Sequence, residues 1–556
     1  VGVIGIYGIV FGIVFGIVGL FFLISVYFTY RRNQKIKAQI KEEYGKKTEW
    51  KLDGRDYTSM KKYYHHIKNR EPMIDDITWT DLNMDELFKR IKNTQSSIGD
   101  EYSYYFFRRQ RNPDLSHFEQ AVECIRENSE KREQLQFAFY RIGRKTNNQL
   151  IDLLIDPSKF PQISMLLIVL VTAINVGSLI WMVVDIDYGI LAVCLGFCLG
   201  LILFSFVLRK IYHAFEALGM FSRMVRAAKL MVALELPAFQ KETEQMRKHL
   251  GVFKNITALA DYIIQISSSA NSLMMILTSY FSIYGYAYYA MVKLFQKHRN
   301  EALELYETIG YVELCISIAS YRESLAYYCK PDFSEENEIA FEEIIHPLLA
   351  EPVPNTHNMG NKLLITGSNA SGKSTFARTL AVNAILGQLF NTCLAKSYRF
   401  KPCQVYSSMN LKDDIITGDS FYMAEIKSLK RLLHIAESSS YVMIFMDEMF
   451  KGTNVIERIA AASIILKKFA DLDCFLCLAT HDVELSRILG ERYENYHFRE
   501  VVTNDEIFFD YTLREGVTTG SNAIKLLAYC QYDQELVSQA EAYAENYRTN
   551  GEWLPL

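Results

Sequence analysis

The chain has 556 residues, which at roughly 100–200 residues per domain is enough for several folding units. Lys+Arg is 60 against 64 Asp+Glu, a net charge of -4, so there is neither a global basic excess for nucleic acid nor an acidic excess for disorder. Hydrophobic residues are 50% and charged residues 22%, but the apolar ones gather in a few uncharged runs and the 10 Cys lack paired spacing, which excludes a small secreted disulfide domain, a fibre and a wholly soluble enzyme.

Val1 to Phe28 carries no charge and is followed at once by Arg31 and Arg32. About 20 apolar residues cross a ~30 Å hydrocarbon core. A secretory signal would put its charge first and a cleavage site after, so the run reads as an uncleaved anchor over residues 1–30. Gly8, Gly12 and Gly16 are spaced by four and could bring two such helices together in lipid. Residues 31–160 read as a cytosolic helical segment. Ile163 to Val184 and Tyr188 to Leu208 are two further apolar runs with Asp185 and Asp187 between them. Lys159 precedes the pair and Arg209 and Lys210 follow it. This pattern predicts a transmembrane hairpin over 161–209 with both feet in the cytoplasm. The chain thus reads as a multi-pass cell-membrane protein with three transmembrane helices and the lipid bilayer as a partner. Tyr262 to Val292 is also uncharged. A fourth crossing there would move the later nucleotide site outside, away from cytosolic ATP, so it reads as a buried or interfacial helix within a helical lever-like region, 210–345.

Lys362 to Thr366 is a short apolar strand leading into Gly367-Ser-Asn-Ala-Ser-Gly-Lys-Ser-Thr375 and a helical stretch through Leu389. This is the phosphate-loop pattern in its strand–loop–helix context. Backbone N–H groups of Gly367, Ser368, Asn369, Ala370, Ser371 and Gly372 cradle phosphates, and the helix start adds a positive dipole end. Lys373 reaches the β- and γ-phosphates, Ser374 ligates Mg²⁺, and Thr375 completes the loop. A second apolar strand, Tyr441 to Met446, ends in Asp447-Glu448. Asp447 is expected to hold the Mg²⁺ shell, and Glu448 to orient or deprotonate the attacking water. A third, Phe475 to Ala479, ends in Thr480-His481, where His481 senses the γ-phosphate through that water. Cys474 and Cys477 are three apart on this strand and point to opposite faces, so both read as core residues.

Together these motifs resemble the ATPase domain of the MutS mismatch-repair family. The loop is similar to G-P-N-M-G-G-K-S-T, Asp447-Glu-Met-Phe-Lys-Gly-Thr453 to D-E-[LI]-G-R-G-T, and Ala479-Thr-His481 to A-T-H. Lys412-Asp-Asp414 and Thr417 to Glu425 resemble the segment that carries the family's signature Ser. Ile345-His-Pro347 is similar to the R-H-P lead-in, and Gly516 to Ala540 to the dimerising C-terminal helices. The resemblance covers residues 338–547; upstream, Ile77 to Leu82, Ser97 to Glu101 and Asn112-Pro113 resemble the family's helical core. It implies an α/β P-loop NTPase of ABC type over 346–520, dimerisation helices over 521–556, and a homodimer closing through its ATPase heads on ATP and Mg²⁺. It further implies that Asn355, in Val353-Pro-Asn355, lies at the adenine and that Ser420 reaches a γ-phosphate bound by the partner subunit. Phe450, Lys451 and Asp419 depart from the family's Gly, Arg and Arg. No counterpart of the mismatch-reading domain precedes the core-like segment, so mismatch reading is not expected.

Two functions follow. One is a membrane-tethered MutS-like ATPase that engages DNA through its backbone with low specificity, using Arg108, Arg109 and Arg111. The other is an ATP-driven membrane switch acting on a protein or membrane partner, without DNA. For Lys35 to Lys51, solvated charges near the bilayer are the preferred reading.

Overall fold

The computed structural model describes all residues except 1, 48–53, 68–70, 146–147, 255–276, 369–370, 410–420, 503–506, 518–523, 525–526, 528–529, 554 and 556. Two compact units emerge, one formed by Val1–Ile67, Ile91–Tyr105 and Gln120–Ser324, the other by Lys68–Arg90, Phe106–Glu119 and Leu325–Leu556. The expected 31–160 segment is therefore shared between them, and the second unit takes up the chain directly after Ser324.

The first unit is helical throughout its described residues. It begins with one 42-residue helix, Gly2–Glu43. Side chains 1–15, 17–18 and 21–22, and with them Gly8 and Gly12, lie outside the described residues, and among the described residues nothing lies within 4 Å of where a Cβ would stand at Gly16 or Gly19. Among the described residues two helices are long and apolar enough to cross a membrane, Met165–Val184 and Ile186–Leu234, and most of the expected anchor's side chains lie outside those residues. The second has 49 residues and continues unbroken past the expected boundary at 209. At 1.5 Å per residue it is a rod of about 74 Å, so hairpin arm and lever start are one element. Nothing in Arg209-Lys210-Ile211 breaks it, since straight-chain residues carry a helix across a polarity change. Of the uncharged stretch 262–292, residues 262–276 lie outside the described part; Ile283–Lys297 is a helix with Tyr284, Ala287, Tyr288 and Met291 buried, as expected.

The second unit is built on a six-stranded sheet. Its strands are β4 (Lys362–Thr366), β6 (Gln404–Ser408), β7 (Val442–Asp447), β8 (Phe475–Thr480), β9 (Glu494–His497) and β12 (Arg514–Glu515). Their order is β12-β9-β4-β8-β7-β6, and only β12 runs antiparallel. β4, β7 and β8 are unbroken apolar runs because both faces are covered. On one face Leu364, Ile444, Met446, Leu476 and Leu478 join Leu466 and Phe469 of the helix Val455–Ala470. Cys474 belongs to this cluster and Cys477 is equally buried, both core residues. A smaller mixed sheet joins β1 (Asp332–Phe333), β5 (Ser397–Phe400), β2 (Ile339–Ile344) and β3 (Asn355–Met359). β10 (Glu500–Val502) and β11 (Ile507–Phe509) form a hairpin.

The stretch read as helical core supports the sheet directly. The buried Asp81 carboxylate accepts bonds from Ser407 Oγ (2.7 Å) and Met409 N–H (2.8 Å), and Thr78 Oγ1 from Ser407 N–H (3.0 Å). Gln110 does the same for the edge strand, with its Oε1 accepting from Val405 N–H at 3.1 Å. These bonds satisfy part of the β6 edge that no further strand pairs.

Candidate active site

The carboxyl ends of β4, β8 and β7 lie side by side. Thr366 pairs with Thr480, and Asp447 with Ala479. In open parallel sheets ligands bind outside this edge. The loop after β4, the Asp447-Glu448 pair and His481 therefore converge on one place, although they are far apart in sequence.

The loop is shaped by two glycines that no other residue would replace cheaply. Gly367 has φ +146°, and a Cβ there would lie 2.8 Å from the Phe498 carbonyl oxygen. Gly372 has φ +105° and starts the helix Lys373–Phe390. The Lys373 side chain is buried and donates to the carbonyls of Gly367 (2.7 Å) and Ser368 (2.6 Å). Ser371 Oγ also donates to the Ser368 carbonyl (2.8 Å). Asn369 and Ala370 lie outside the described residues, as does Ser420. Beside the loop is a cavity of about 630 Å³ lined by Ser368, Gly372, Lys373, Ser374, Thr375, Asp447 and Glu448 at one end and by Ile344, His346, Pro352, Val353 and Asn355 at the other. That volume falls within the roughly 300–1,000 Å³ of small-molecule sites. The donor set suits a polyphosphate with a divalent cation: a buried ammonium, a helix start, a hydroxyl and a carboxylate at one end.

Glu448 is held in a clamp. Its Oε1 lies 3.2 Å from His481 Nδ1 and its Oε2 3.1 Å from Lys451 Nζ. The His481 hydrogen bond, reinforced by Lys451, holds the carboxyl down at about 2. His481 is pushed up, first by Glu448 and then by Asp482, whose Oδ1 lies 3.6 Å from Nε2. Asp482 is in turn fixed by Arg458 through bonds of 3.0 and 2.7 Å. Glu448 and Phe450 both sit at positive φ, +57° and +59°. The MutS-like Gly at the Phe450 position is thus explained by its backbone. Here Phe450 takes the left-handed conformation and offsets the strain by burying its ring near Tyr422.

Asn355 lines the cavity, but its amide is engaged by backbone: Nδ2 donates to Val353 and Tyr511 carbonyls, and Oδ1 accepts from Leu513 N–H at 2.8 Å. It positions the cavity wall rather than presenting free polar atoms. Tyr511 and His346 are among the lining residues not singled out from sequence as site residues. Tyr511 packs against Gly372 from a loop with no motif of its own. His346 is buried; its Nδ1 accepts from Leu348 N–H (3.2 Å), which leaves the proton on Nε2. Burial, helped by Arg378, pushes it down to about 4, so it stays neutral. The only signal for it was the His-Pro lead-in.

The arginine cluster is not a free basic patch. Arg108 is buried, pairs with Asp76 (2.7 Å) and stacks over Trp79. Arg109 pairs with Glu71 at 2.5 Å and lies over Phe106. Arg108 and Arg109 are thus engaged inside the unit, while Arg111, the third of the cluster, is exposed.

Residues 363–548 match the family model of MutS domain V. This third of the chain is similar to the MutS family. MutS protein homolog 4 of Homo sapiens is 30% identical over 260 residues, 43% of this chain and 27% of that protein. DNA mismatch repair protein MutS of Geobacillus sp. (strain WCH70) is 28% identical over 253 residues (43% and 29%), and that of Aquifex pyrophilus 28% over 268 residues (45% and 31%). The chain therefore spans less than a third of the length of these relatives. Domain V is the family's ATPase domain, and the shared part includes the phosphate loop, the acidic pair and His481.

Proposed function

We propose that the chain is a membrane-tethered ATPase of P-loop type that binds ATP with Mg²⁺ in the 630 Å³ cavity and hydrolyses it. The convergence of Lys373, Asp447, Glu448 and His481 at three adjacent strand ends carries this reading. Lys373 exchanges its loop carbonyls for the β- and γ-phosphates. Ser374 and Asp447 would hold Mg²⁺, which would supply charge neutralisation at the phosphates. Glu448 orients the attacking water, and the His481 ring beside it, whose proton Glu448 holds more tightly, faces the γ-phosphate. Two heads closing face to face, with Ser420 of one reaching the nucleotide of the other, complete the sites in a homodimer. The ATPase unit lies in the cytoplasm.

Of the two roles open to this engine, the membrane switch acting without DNA is favoured by a specific observation, the internal pairing of Arg108 and Arg109. Contact with DNA, where it occurs, is weak, salt-sensitive and blind to mismatches. The test is ATP binding by the full chain. Lys373→Ala is expected to lower affinity at least a hundredfold, because it removes the ammonium placed over the phosphates. Unchanged affinity overturns the assignment of the loop.

A further inference from the structure

The helices Met165–Val184 and Ile186–Leu234 are arranged opposite to a soluble pair. Leu166, Leu170, Ile174, Trp181 and Val184 point outward and are exposed, whereas Asn175, Ser178, Gly189, Gly196 and Gly200 are buried. Polar inside and apolar outside is the distribution that a bilayer imposes.

A third piece of chain fits into this pair. Residues 277–280 are helical, the helix breaks at Phe281 and Ser282, and Ile283–Lys297 resumes it. Ser282 has φ +49°. A break frees backbone carbonyls, which in lipid must find partners within the protein. Here the hairpin supplies them. Asn175 Nδ2 donates to the Tyr280 carbonyl at 2.6 Å, and Thr172 Oγ1, which bonds the Ile168 carbonyl at 2.8 Å, also lies 3.4 Å from that of Phe281. Tyr280 OH donates to the Asn175 carbonyl (2.8 Å) and lies 2.7 Å from Ser178 Oγ. Gly200 lets the Ser279 carbonyl approach so closely that a Cβ would lie 2.8 Å from it.

The depth of this break follows from the helix rise. Asn175 is ten residues beyond Met165, about 15 Å, which is the middle of a ~30 Å hydrocarbon core. The two flanks lie at the foot. Phe253 and Phe295 both pack on Phe221, with ring centroids at 5.0 and 4.4 Å. Phe295 also meets Phe160 (5.8 Å), and Tyr288 OH donates to the Pro161 carbonyl (2.9 Å).

We infer that residues 277–297 form a re-entrant membrane element, with lipid as its outer partner: its broken helix sits at the bilayer midplane, pinned by Asn175 and Thr172, and the chain returns to the side on which Phe253 left. This rests on reading the hairpin as membrane-spanning. It keeps the later residues on the side of the hairpin feet while placing the segment deeper than an interfacial helix.

The test uses the full chain with its ten cysteines replaced, reconstituted in phosphatidylcholine–phosphatidylglycerol vesicles. Nitroxides are placed singly through Leu277→Cys, Leu170→Cys, Asp187→Cys, Lys254→Cys and Lys297→Cys. Collision with oxygen reports lipid, and collision with a water-soluble nickel chelate reports water. Leu277, 42% exposed, is expected to favour oxygen several-fold, as Leu170 does. Lys254 and Lys297 favour nickel and are reduced by ascorbate from one side, Asp187 from the other. Nickel preference at 277 with oxygen preference at 170 overturns the re-entrant element and leaves the hairpin. Nickel preference at both overturns the hairpin as well. Low collision with either agent at 277 means a protein neighbour instead of lipid and overturns the inference, as does reduction of Lys297 from the Asp187 side. Should the cysteine-free chain not fold, p-benzoylphenylalanine at position 277 of the otherwise native chain is expected to cross-link to lipid on illumination. Cross-links to protein alone overturn the inference.

Discussion

Glu448 shows how a single side chain is set by its surroundings. A carboxylate held at about 2 is a weak base, so its value to hydrolysis lies in staying charged and aimed. The pH dependence of the clamp has a definite sign. The Glu448 contribution is present above its ordinary 4.5 and is lost as pH falls toward about 2. The His481 contribution is present below its ordinary 6.5 and is lost as pH rises through its raised value. The clamp is therefore whole between 4.5 and 6.5 and loosens above that range. Glu448→Gln is expected to return His481 toward 6.5, read from imidazole proton shifts, and to cut turnover by about a hundredfold or more with ATP binding kept. An unmoved His481 titration would show that the bond to Glu448 is not what raises it. Phe450 sets two effects against each other. Removing its buried ring costs about 3–5 kcal/mol, and relieving its left-handed backbone returns about 1–2 kcal/mol. Phe450→Gly should destabilise the region by about 1–4 kcal/mol, seen as faster amide exchange at 442–453; slower exchange would mean that strain dominates. The identities of Lys373, Asp447, Glu448 and His481 were legible because a strand followed by a motif fixes the place of each. The Lys451 and His481 clamp was not, since pairing depends on where β7 and β8 end relative to one another.

At the level of elements, the sequence told strands from helices where a run was uniform and misjudged where one element stops. β4, β7 and β8 were readable as unbroken apolar stretches. The 49-residue rod Ile186–Leu234 was divided at Arg209 because polarity changes there, though the backbone does not. Asp76–Asp81 was placed with the helical core, but its Asp81 and Thr78 serve β6, a role that only the folded edge defines. In the helical unit, burial raises two carboxyls, Glu101 to about 8 and Glu313 to about 7. Glu101 accepts from Tyr306 OH and Asn148 Nδ2, both at 2.7 Å, from neighbouring elements. A raised carboxyl binds its proton more tightly folded than unfolded. Stability is therefore full below 4.5 and falls as pH rises through 7 and 8. Amide exchange in Ser97–Phe107 and Arg299–Glu323 should accelerate between pH 5 and 8 beyond the intrinsic rate. Glu101→Gln should flatten that excess; a slope unchanged in the variant would assign it elsewhere.

For the whole molecule, the decisive property is whether ATP brings two heads together. One chain supplies the phosphate loop, the acidic pair and His481 to its own cavity, and the family resemblance places Ser420 across a partner. In the proposed mechanism closure depends on both cavities holding ATP, and hydrolysis releases it. A chain that binds but does not hydrolyse must accumulate closed. With ATP and Mg²⁺ in detergent, the Glu448→Gln chain is expected to double in mass by light scattering, corrected for bound detergent. The Lys373→Ala chain, which cannot hold the phosphates, should keep its starting mass under the same conditions. ADP should fail to shift either one, because it lacks the γ-phosphate that the partner must reach. Doubling with ADP as well, or by Lys373→Ala, would mean that the chains associate through another surface, such as the apolar helices Met165–Val184 and Ile186–Leu234 or Gln534–Asn550, and that nucleotide does not drive the closure.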